Sequence, residues 1–438
     1  MLKLVDRPDL GSGVVRRVGS SPTTRTLISK LRLLLPEWRQ EFFEKQMETK
    51  QIYWEEIGAT AEMSFFRPVA DGLEECHTML HVEPRGELFE AQISRMYQAE
   101  KRLIQLAELQ GAQAVFKRYF LSDATNQMPV ITARRHGKGF NDPIYSDDFA
   151  VSVIQQPPLD GSKIAMWIYF QKGGKQYNRH GVTVVEHNGY QHLYQMNLCE
   201  PSGDSYSQTK CLLEDYESEL ARFKATIEAN CIRTWFFVRD VDTQYAGLVR
   251  ARKENFIEQG LTEKTHYIAS TGIGGLPADP RAIVQLATYA LTGFEPQQQR
   301  YLHAYTHLNP TIEYGVTFER GTVVEFGDRA QIYISGTASI NNRGEVLHLG
   351  DIVKQTERMW ENVEMLLKEG DSGFEDVMQI IVYLRDLCDY QVVKQMFDKK
   401  FPNTPRVITL APVCRPTWLI EMECIATPRR ENPQYRNY

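Results

Sequence analysis

Apolar residues recur along this chain with two periods, one typical of helices and one typical of strands. Over residues 87–109 they recur at roughly three, four and seven positions, which predicts an amphipathic helix. Residues 114–121 follow with strand-like alternation, and a turn is expected at 122–126. The pattern therefore predicts a helix, a strand and a turn in this order.

The same order of elements recurs near the C-terminus, and polar residues recur with it. The identical pairs, all at one constant offset, are Gln92 and Gln355, Arg95 and Arg358, Met96 and Met359, Leu103 and Leu366, Leu121 and Leu384, and Asp123 and Asp386. A helix pattern that matched by chance would not also carry the polar identities. The sequence therefore predicts two copies of one helix-strand unit.

A third copy is predicted between these two. Strand-like runs lie at 163–170, 182–186, 191–197, 233–239, 266–270 and 282–291, and helix-like runs lie at 208–229 and 243–259. Short antiparallel strands with two helices on one face form an α+β layer. Three such units in one chain predict a pseudo-threefold, pseudo-trimeric body with clefts between neighbouring units, where small-molecule sites usually lie.

The chain is accordingly divided into an N-terminal extension and three units. The extension is expected over 1–58 and contains one amphipathic stretch at 25–46; the units are predicted over 59–160, 161–295 and 296–438. The first two units are expected to be degenerate and the third to be catalytic. A chain of 438 residues is also long for a single core.

Composition excludes several classes of partner. The net charge of −6 gives no general attraction to nucleic acid or to anionic lipid, so neither is expected and an anionic ligand would need local arginines. No apolar run reaches the length of a membrane span, and the N-terminal residues lack the pattern of a secretory signal. Seven scattered cysteines without Cys-x-x-Cys spacing predict a reducing, cytoplasmic setting.

No metal or cofactor site is predicted. His303 and His307 are four positions apart, but no glutamate lies between them as in a His-Glu-x-x-His motif, so they are interpreted as packing residues. The glycines at 272, 274 and 275 follow a predicted strand but lack the Gly-Lys-Ser/Thr ending of a phosphate loop, so a tight turn is expected there.

A predicted hairpin at 404–427 gathers several reactive side chains. Two apolar runs of period two flank a loop with two prolines at 411–416. On the second strand Glu421 and Glu423 share one face, and an antiparallel pairing would bring Arg406 near Glu421 or Met422. From these residues alone, a solvated strand face with surface ion pairs and a functional site both remain open.

The third unit resembles the RidA/YjgF superfamily. The resemblance is carried by Ile334-Ser335-Gly336-Thr337, Gly350-Asp351 with Gln355 and Asn362, the strand 381–384 with Asp386, Pro405-Arg406, and Ile-Glu-Met-Glu-Cys-Ile-Ala at 420–426. It implies tandem RidA-like units with a chorismate mutase-like α+β fold. In RidA-like deaminases the arginine of the Pro-Arg segment binds a substrate carboxylate and the first glutamate of the last strand helps to place water. Those roles would fall to Arg406 and Glu421.

A closer resemblance is to the chorismatase branch of that superfamily. It is carried by Arg233-Thr234-Trp235, the turn Thr271-Gly272-Ile273-Gly274, Tyr314-Gly315 with Phe318 and Arg320, the run from Ser335 to Ile340, and Val413-Cys414-Arg415 ahead of Glu421. Chorismatases hydrolyse the enol ether of chorismate, releasing pyruvate and a dihydroxycyclohexadiene carboxylate or 3-hydroxybenzoate.

This resemblance implies a site made largely from the third unit. Glu421 is expected to be the acid that protonates the substrate, and Cys414 to correspond to a thiol that biases the product toward 3-hydroxybenzoate. The residues expected to bind the substrate are Arg406, Arg415, Tyr314, Arg320, Ser335, Gly336 and Thr337. The expected partner is a small metabolite that bears carboxylates.

Three functions follow as hypotheses. The first is a chorismatase-like hydrolase, and the second is a RidA-like imine or enamine deaminase that uses Arg406 with Glu421. The third is a RidA-like protein that binds a metabolite without catalysis. The chain is expected to be either a monomer with pseudo-trimeric architecture or a homo-oligomer.

Overall fold

The computed structural model describes residues 47–135 and 149–438, apart from the side chains of residues 133–135 and of Tyr314. The predicted amphipathic stretch at 25–46 lies outside these residues. Strand pairing already begins at residue 48, inside the predicted extension. Within the described ranges no helix combines the length and the apolar character that crossing a membrane requires.

The first sheet is built from six strands near the start of the described chain. They are β1 (Glu48–Trp54), β2 (Ala59–Phe66), β3 (Glu74–Val82), β4 (Gln113–Leu121), β5 (Ala150–Gln155) and β6 (Ile164–Lys172). Helices α1 (Phe89–Leu103) and α2 (Ala124–Arg135) follow β3 and β4. The strand order is β1-β2-β3-β6-β4-β5, and only β4 and β5 are parallel. We call this segment the first repeat.

The second repeat follows directly. Its strands are β7 (Lys175–Arg179), β8 (Val182–His187), β9 (Tyr190–Cys199), β10 (Cys231–Val238), β11 (Ala269–Gly274), β12 (Leu276–Pro277) and β13 (Val284–Thr292). Its helices are α3 (Ser205–Ala221), α4 (Ile227–Asn230) and α5 (Val241–Glu258). The sheet order is β7-β8-β9-β13-β10-β11, with β10 and β11 parallel, while β12 joins the edge of the first sheet beside β5.

The third repeat completes the chain. Its strands are β14 (Gln299–Leu302), β15 (Gly321–Glu325), β16 (Ala330–Ala338), β17 (Val377–Leu384), β18 (Arg406–Leu410) and β19 (Ile420–Ala426). Helices α6 (Ile352–Glu369) and α7 (Tyr390–Lys400) follow β16 and β17. The order is β14-β15-β16-β19-β17-β18, with β17 and β18 parallel.

The three sheets share one topology. Numbered within its own repeat, each sheet has its strands in the order first, second, third, sixth, fourth, fifth, apart from the added strand β12. The fourth and fifth strands are parallel and joined by a helix in every repeat. The predicted α+β fold with tandem units is therefore confirmed. β6 belongs to the first sheet, although the sequence placed its residues in the second unit.

A buried glutamine recurs at the same place in each repeat. Gln92, Gln208 and Gln355 lie on the helix that follows the third strand, and each Oε1 accepts a hydrogen bond from a backbone N–H at the start of the sixth strand. The donors are Lys163 at 2.7 Å, Ile283 at 2.7 Å and Leu419 at 3.0 Å. Because each bond anchors a helix to the central strand of its sheet, the repeated Gln92 and Gln355 reflect a structural requirement.

The predicted hairpin at 404–427 does not form. β18 and β19 are separated by β17, which pairs in parallel with β18 and antiparallel with β19. The helix α7 makes the crossover that the parallel pair β17 and β18 requires, and β18 lies at the edge of the sheet, so β19 pairs with the other side of β17 instead. All seven residues of β19 are buried, and the interpretation of its charged face as solvated is therefore wrong.

Tyr438 joins the first and third repeats in the core. It is fully buried, and its hydroxyl lies 3.0 Å from that of Tyr169 and accepts a hydrogen bond of 2.8 Å from Gln171 Nε2. Its backbone N–H donates to Asp328 Oδ1 at 3.0 Å. The C-terminal segment therefore ties two repeats together.

Replacing Tyr438 by phenylalanine should lower the free energy of unfolding by about 1 kcal/mol, because loss of the hydroxyl removes the acceptor of the hydrogen bond from Gln171 Nε2. Urea unfolding of both proteins measures the difference. Tyr305→Phe is the matched control, since that side chain is 58 % exposed and should change stability little. Equal effects of the two substitutions would contradict the proposed contribution of the Tyr438 hydroxyl.

Candidate active site

A cavity of about 540 Å³ lies between the second and third repeats. Its lining includes Asp242, Tyr245, Arg250, Arg252 and Lys253 of α5, Ser270, Thr271 and Gly272 of β11, Gly315, Val316, Phe318 and Arg320 before β15, Gly336 and Ala338 of β16, Cys414, Arg415 and Trp418 before β19, and Glu421 of β19. The edge strand β11 meets β16 here, because Ser270 N–H donates to Ser335 Oγ at 2.9 Å and Gly336 N–H to Thr271 Oγ1 at 2.9 Å.

Glu421 lies at the buried base of this cavity. Its carboxyl makes no hydrogen bond to any residue that the structure describes, and a Cβ at position 336 would collide with it, so Gly336 makes room for it. Burial raises the pKa of Glu421 to about 8, and the charge of Glu423 adds to this while Arg233 and Arg320 oppose it. Glu421 is therefore a protonated carboxylic acid at neutral pH.

Glu423, two residues further along the same strand face, is held by three side-chain donors of the second repeat. It accepts hydrogen bonds from Arg233 Nη2 at 2.7 Å, Trp235 Nε1 at 2.8 Å and Thr271 Oγ1 at 2.5 Å. The side chains of Glu423 and Arg233 are each only 2 % exposed. This buried pair joins the second repeat to the third and places a negative charge close to Glu421.

Cationic side chains line the cavity from both repeats. Arg320 is buried, and its Nη2 donates to the carbonyl oxygen of Asn309 at 3.1 Å, while the Arg415 guanidinium lies 5.0 Å from the Trp418 ring centre. Arg252 and Lys253 of α5 line the cavity from the second repeat. Such a lining favours a ligand with more than one carboxylate, since arginine binds carboxylates in two-point geometry.

Cys414 lines the cavity as a thiol. Burial raises its pKa to about 12, and the nearby charge of Glu421 adds to the shift. Because the thiolate is the nucleophilic form, Cys414 is not poised for nucleophilic attack at neutral pH. Its side chain can contribute volume and shape to the cavity.

Of Ser335, Gly336 and Thr337, the first two form a bulge in β16, where its pairing with β19 shifts register, and the pairing resumes at Thr337. Only Gly336 of the three lines the cavity. Ser335 Oγ donates to Glu319 O at 2.6 Å, and Thr337 Oγ1 donates to Ser335 O at 2.9 Å. The two hydroxyls therefore shape the bulge that presents the backbone of Gly336 to the cavity.

Arg406 does not reach this cavity. Its guanidinium bonds to Asp398 and to the carbonyl oxygens of Phe401 and Thr404, in a separate cleft between the first and third repeats. The predicted approach of Arg406 to Glu421 is wrong, because β17 lies between their strands.

Tyr314 ends a short 3-10 helix, Thr311–Tyr314, just before Gly315 of the lining. Its side chain lies outside what the structure describes. A contact between Tyr314 and the substrate therefore stays a prediction.

Glu421 has no acidic counterpart in the other repeats. The equivalent ladder pairs are Phe120 with Ala165, Phe237 with Gln285 and Tyr383 with Glu421. The positions that correspond to Glu421 are therefore occupied by Ala165 and Gln285. Among these three equivalent positions, the third repeat alone supplies a carboxyl group.

Sequence reasoning missed the part of the lining that comes from α5. A signal was present, since Arg250, Arg252 and Lys253 form a basic group within a predicted helix. It also left the partners of Glu423 unassigned, although strand alternation placed Glu423 on the same face as Glu421. Both features need knowledge of which repeat packs against which.

Comparisons with known proteins agree with this architecture. Residues 322–428 match the family model described as Endoribonuclease L-PSP. A RutC family protein of Pyrococcus abyssi is 34% identical over 98 residues, which cover 22% of this chain and 76% of that protein. A 3-hydroxybenzoate synthase of Streptomyces hygroscopicus is 28% identical over 216 residues, 44% of this chain and 63% of that protein, so the match spans less than two thirds of this relative.

A crystal structure of a chorismatase shares the fold over a longer stretch. It aligns with a TM-score of 0.57 at 16% sequence identity, covering 82% of this chain and 99% of that one. The likeness therefore includes the repeats outside the matched family model. The chain belongs to the RidA/YjgF superfamily and has the fold of its chorismatase-like branch.

Proposed function

We propose that this protein is a chorismatase-like hydrolase that cleaves the enolpyruvyl ether of chorismate. The products would be pyruvate and either a dihydroxycyclohexadiene carboxylate or 3-hydroxybenzoate. The observation that carries the proposal is Glu421, a buried acid with a pKa of about 8 that makes no hydrogen bond to a described residue and faces a cavity lined with cations. The likeness to a 3-hydroxybenzoate synthase supports the same chemistry.

Glu421 would act as the general acid. Its proton moves to the terminal methylene carbon of the enol ether, which becomes a methyl group and leaves an oxocarbenium ion beside the Glu421 carboxylate. Water adds to the cationic carbon and returns a proton to Glu421. The resulting hemiketal collapses: a proton moves to the ether oxygen attached to the ring, the bond between that oxygen and the former enol carbon breaks, and pyruvate and a dihydroxycyclohexadiene carboxylate are released. Loss of one water molecule from this carboxylate would give 3-hydroxybenzoate.

The cationic lining would hold the two substrate carboxylates. Arg320 and Arg415 lie on the same repeat as Glu421, and Arg252 and Lys253 line the cavity from α5 of the second repeat. Positive charge near Glu421 lowers its pKa, but bound carboxylates would offset that charge. Substrate binding and protonation of Glu421 would therefore support each other.

The direct test is pyruvate release from chorismate, followed with lactate dehydrogenase and NADH. Purified wild-type protein should release pyruvate well above the Glu421→Gln variant measured in parallel. Chromatography of the second product, for the wild type and Cys414→Ala, would show whether this thiol directs the reaction toward 3-hydroxybenzoate. Pyruvate release no higher than that of Glu421→Gln would refute the proposal.

The deaminase hypothesis has less support from the geometry. It needs Arg406 and Glu421 around one substrate, and these residues lie in different clefts. Ammonia release from an amino-acid-derived enamine that is abolished by Arg406→Ala would favour it. Binding of chorismate without any turnover would instead favour the non-catalytic hypothesis.

The rate should depend on pH through Glu421. Because the protonated form is the acid, kcat/KM for chorismate should be flat below pH 7 and fall about tenfold per unit above the pKa of about 8. Initial rates between pH 6 and 10 measure this dependence. Wild-type activity that rises through pH 8 would show that Glu421 acts as a base instead.

Gly336→Ala should lower kcat/KM by about 100-fold, because the new methyl group would displace the carboxyl group of Glu421 from the reacting carbon. Steady-state rates measure the loss, and circular dichroism checks that the fold is retained. Ala338→Gly on the same strand removes volume from the lining without a collision, so it should cost much less activity. Equal losses in the two variants would argue against displacement of Glu421.

A further inference from the structure

Arg118 on β4 is a buried cation that forms no ion pair with any residue that the structure describes. It is fully buried, and none of its three side-chain nitrogens has a hydrogen-bond partner among the residues that the structure describes. Its guanidinium lies 5.3 Å from the Trp167 ring centre, 4.9 Å from that of Trp235 and 5.0 Å from that of Phe237. Aromatic faces can stabilise a cation, but they do not accept its N–H groups in the way an oxygen or an anion does.

A second buried polar group also lacks a hydrogen-bond partner among the described residues. Tyr383 on β17 is fully buried, and its hydroxyl also lacks a hydrogen-bond partner in the described part of the chain. Tyr383 and Arg118 are close enough to shift each other's pKa, although burial is the larger cause for both. Unpaired donors from two different repeats therefore face a common region of the interior.

The charges in this region do not balance. The charged groups that act on Arg118 are Glu423 and Arg233, and these two are already paired with each other. Among the described residues, no carboxylate oxygen accepts a hydrogen bond from Arg118. One buried positive charge remains without a counter-charge, and such a charge is strongly unfavourable in a protein interior.

We infer that Arg118, together with the Tyr383 hydroxyl, binds one monovalent inorganic anion of halide size, chloride under ordinary conditions, inside the protein. Water could satisfy the N–H groups, but only an anion also balances the charge. The surrounding side chains are almost fully buried, so the anion must be small. Tyr383 is the cross-strand neighbour of Glu421, but neither Tyr383 nor Arg118 lines the cavity, and anion binding does not depend on the reaction proposed there.

The test is a crystal structure of the full chain grown with sodium bromide in place of chloride, with data collected at the bromine absorption edge. We expect an anomalous peak within hydrogen-bonding distance of the Arg118 guanidinium. Crystals of Arg118→Met, which keeps the apolar contacts with the three rings, should lack the peak. Water density without an anomalous signal at Arg118 in the wild type would overturn the inference.

A solution measurement covers the case in which Arg118→Met does not crystallise. Replacing gluconate by chloride or bromide at constant ionic strength should raise the thermal unfolding midpoint of the wild type by a few degrees. The midpoint of Arg118→Met should not respond, whereas Arg343→Met, which alters an exposed arginine, should respond like the wild type. A wild-type midpoint that ignores halide would contradict the site even if the variant fails to fold.

Discussion

Replacing Glu421 by glutamine lowers the rate of pyruvate release from chorismate by about 100- to 10,000-fold, the range that a positioned general acid contributes. Glutamine has nearly the shape of glutamate but carries no acidic proton for the methylene carbon. Because the Glu421 carboxyl makes no hydrogen bond to a described residue, the exchange should leave the free energy of unfolding within about 1 kcal/mol of the wild type. Coupled pyruvate assays and urea unfolding measure the two effects.

Asp242→Asn is the matched control for this prediction. Asp242 also lines the cavity, but it lies on α5, is partly exposed and pairs with Arg385 at 2.7 Å. Its replacement changes a carboxylate of the lining without removing the proposed proton donor, so the rate should fall by less than about tenfold. A Glu421→Gln enzyme as active as Asp242→Asn would remove Glu421 from the mechanism.

Replacing Glu423 by alanine lowers the free energy of unfolding by about 3–5 kcal/mol, because it leaves the buried Arg233 without its counter-charge. The loss is large relative to the total stability of an ordinary domain. It also weakens the contact between the second and third repeats, since Trp235 and Thr271 lose the same acceptor. Urea unfolding followed by tryptophan fluorescence measures the change.

Two further variants distinguish the loss of the buried Glu423–Arg233 ion pair from a general effect of removing a glutamate. Glu214→Ala removes an exposed partner of Lys210, 3.8 Å away, and should cost less than about 1 kcal/mol. Adding Arg233→Met to Glu423→Ala should restore part of the lost stability, because it removes the unpaired charge. The argument fails if Glu423→Ala is no more harmful than Glu214→Ala.

The repeat architecture could be predicted because polar residues that recur in the sequence make the same structural hydrogen bonds in different repeats. Gln92 and Gln355 match in sequence, and both bind the backbone at the start of the central strand. The sequence also predicted the strand that carries Glu421. It named Arg415 and Arg320 as substrate-binding residues, because motifs local in sequence contain them. Arg320, Arg415 and Glu421 all line the cavity, and their roles stay predictions.

The sequence could not show which strands are neighbours in a sheet. The spacing between Arg406 and Glu421 is the same whether their strands pair directly or are separated by β17, and only the sheet order distinguishes the two cases. Arg252 and Lys253 are remote from Glu421 in the chain and approach it only through the packing of one repeat on another. Contacts of this kind leave no periodic signal in the chain.

Fusing three like sheets in one polypeptide has a consequence for how such a protein can diverge. In an assembly of three identical chains, every substitution appears in all three clefts at once. Here a codon change alters one cleft only, and Ala165, Gln285 and Glu421 already differ at equivalent positions. A new specificity can therefore be selected in one repeat while the other two remain free to evolve for packing.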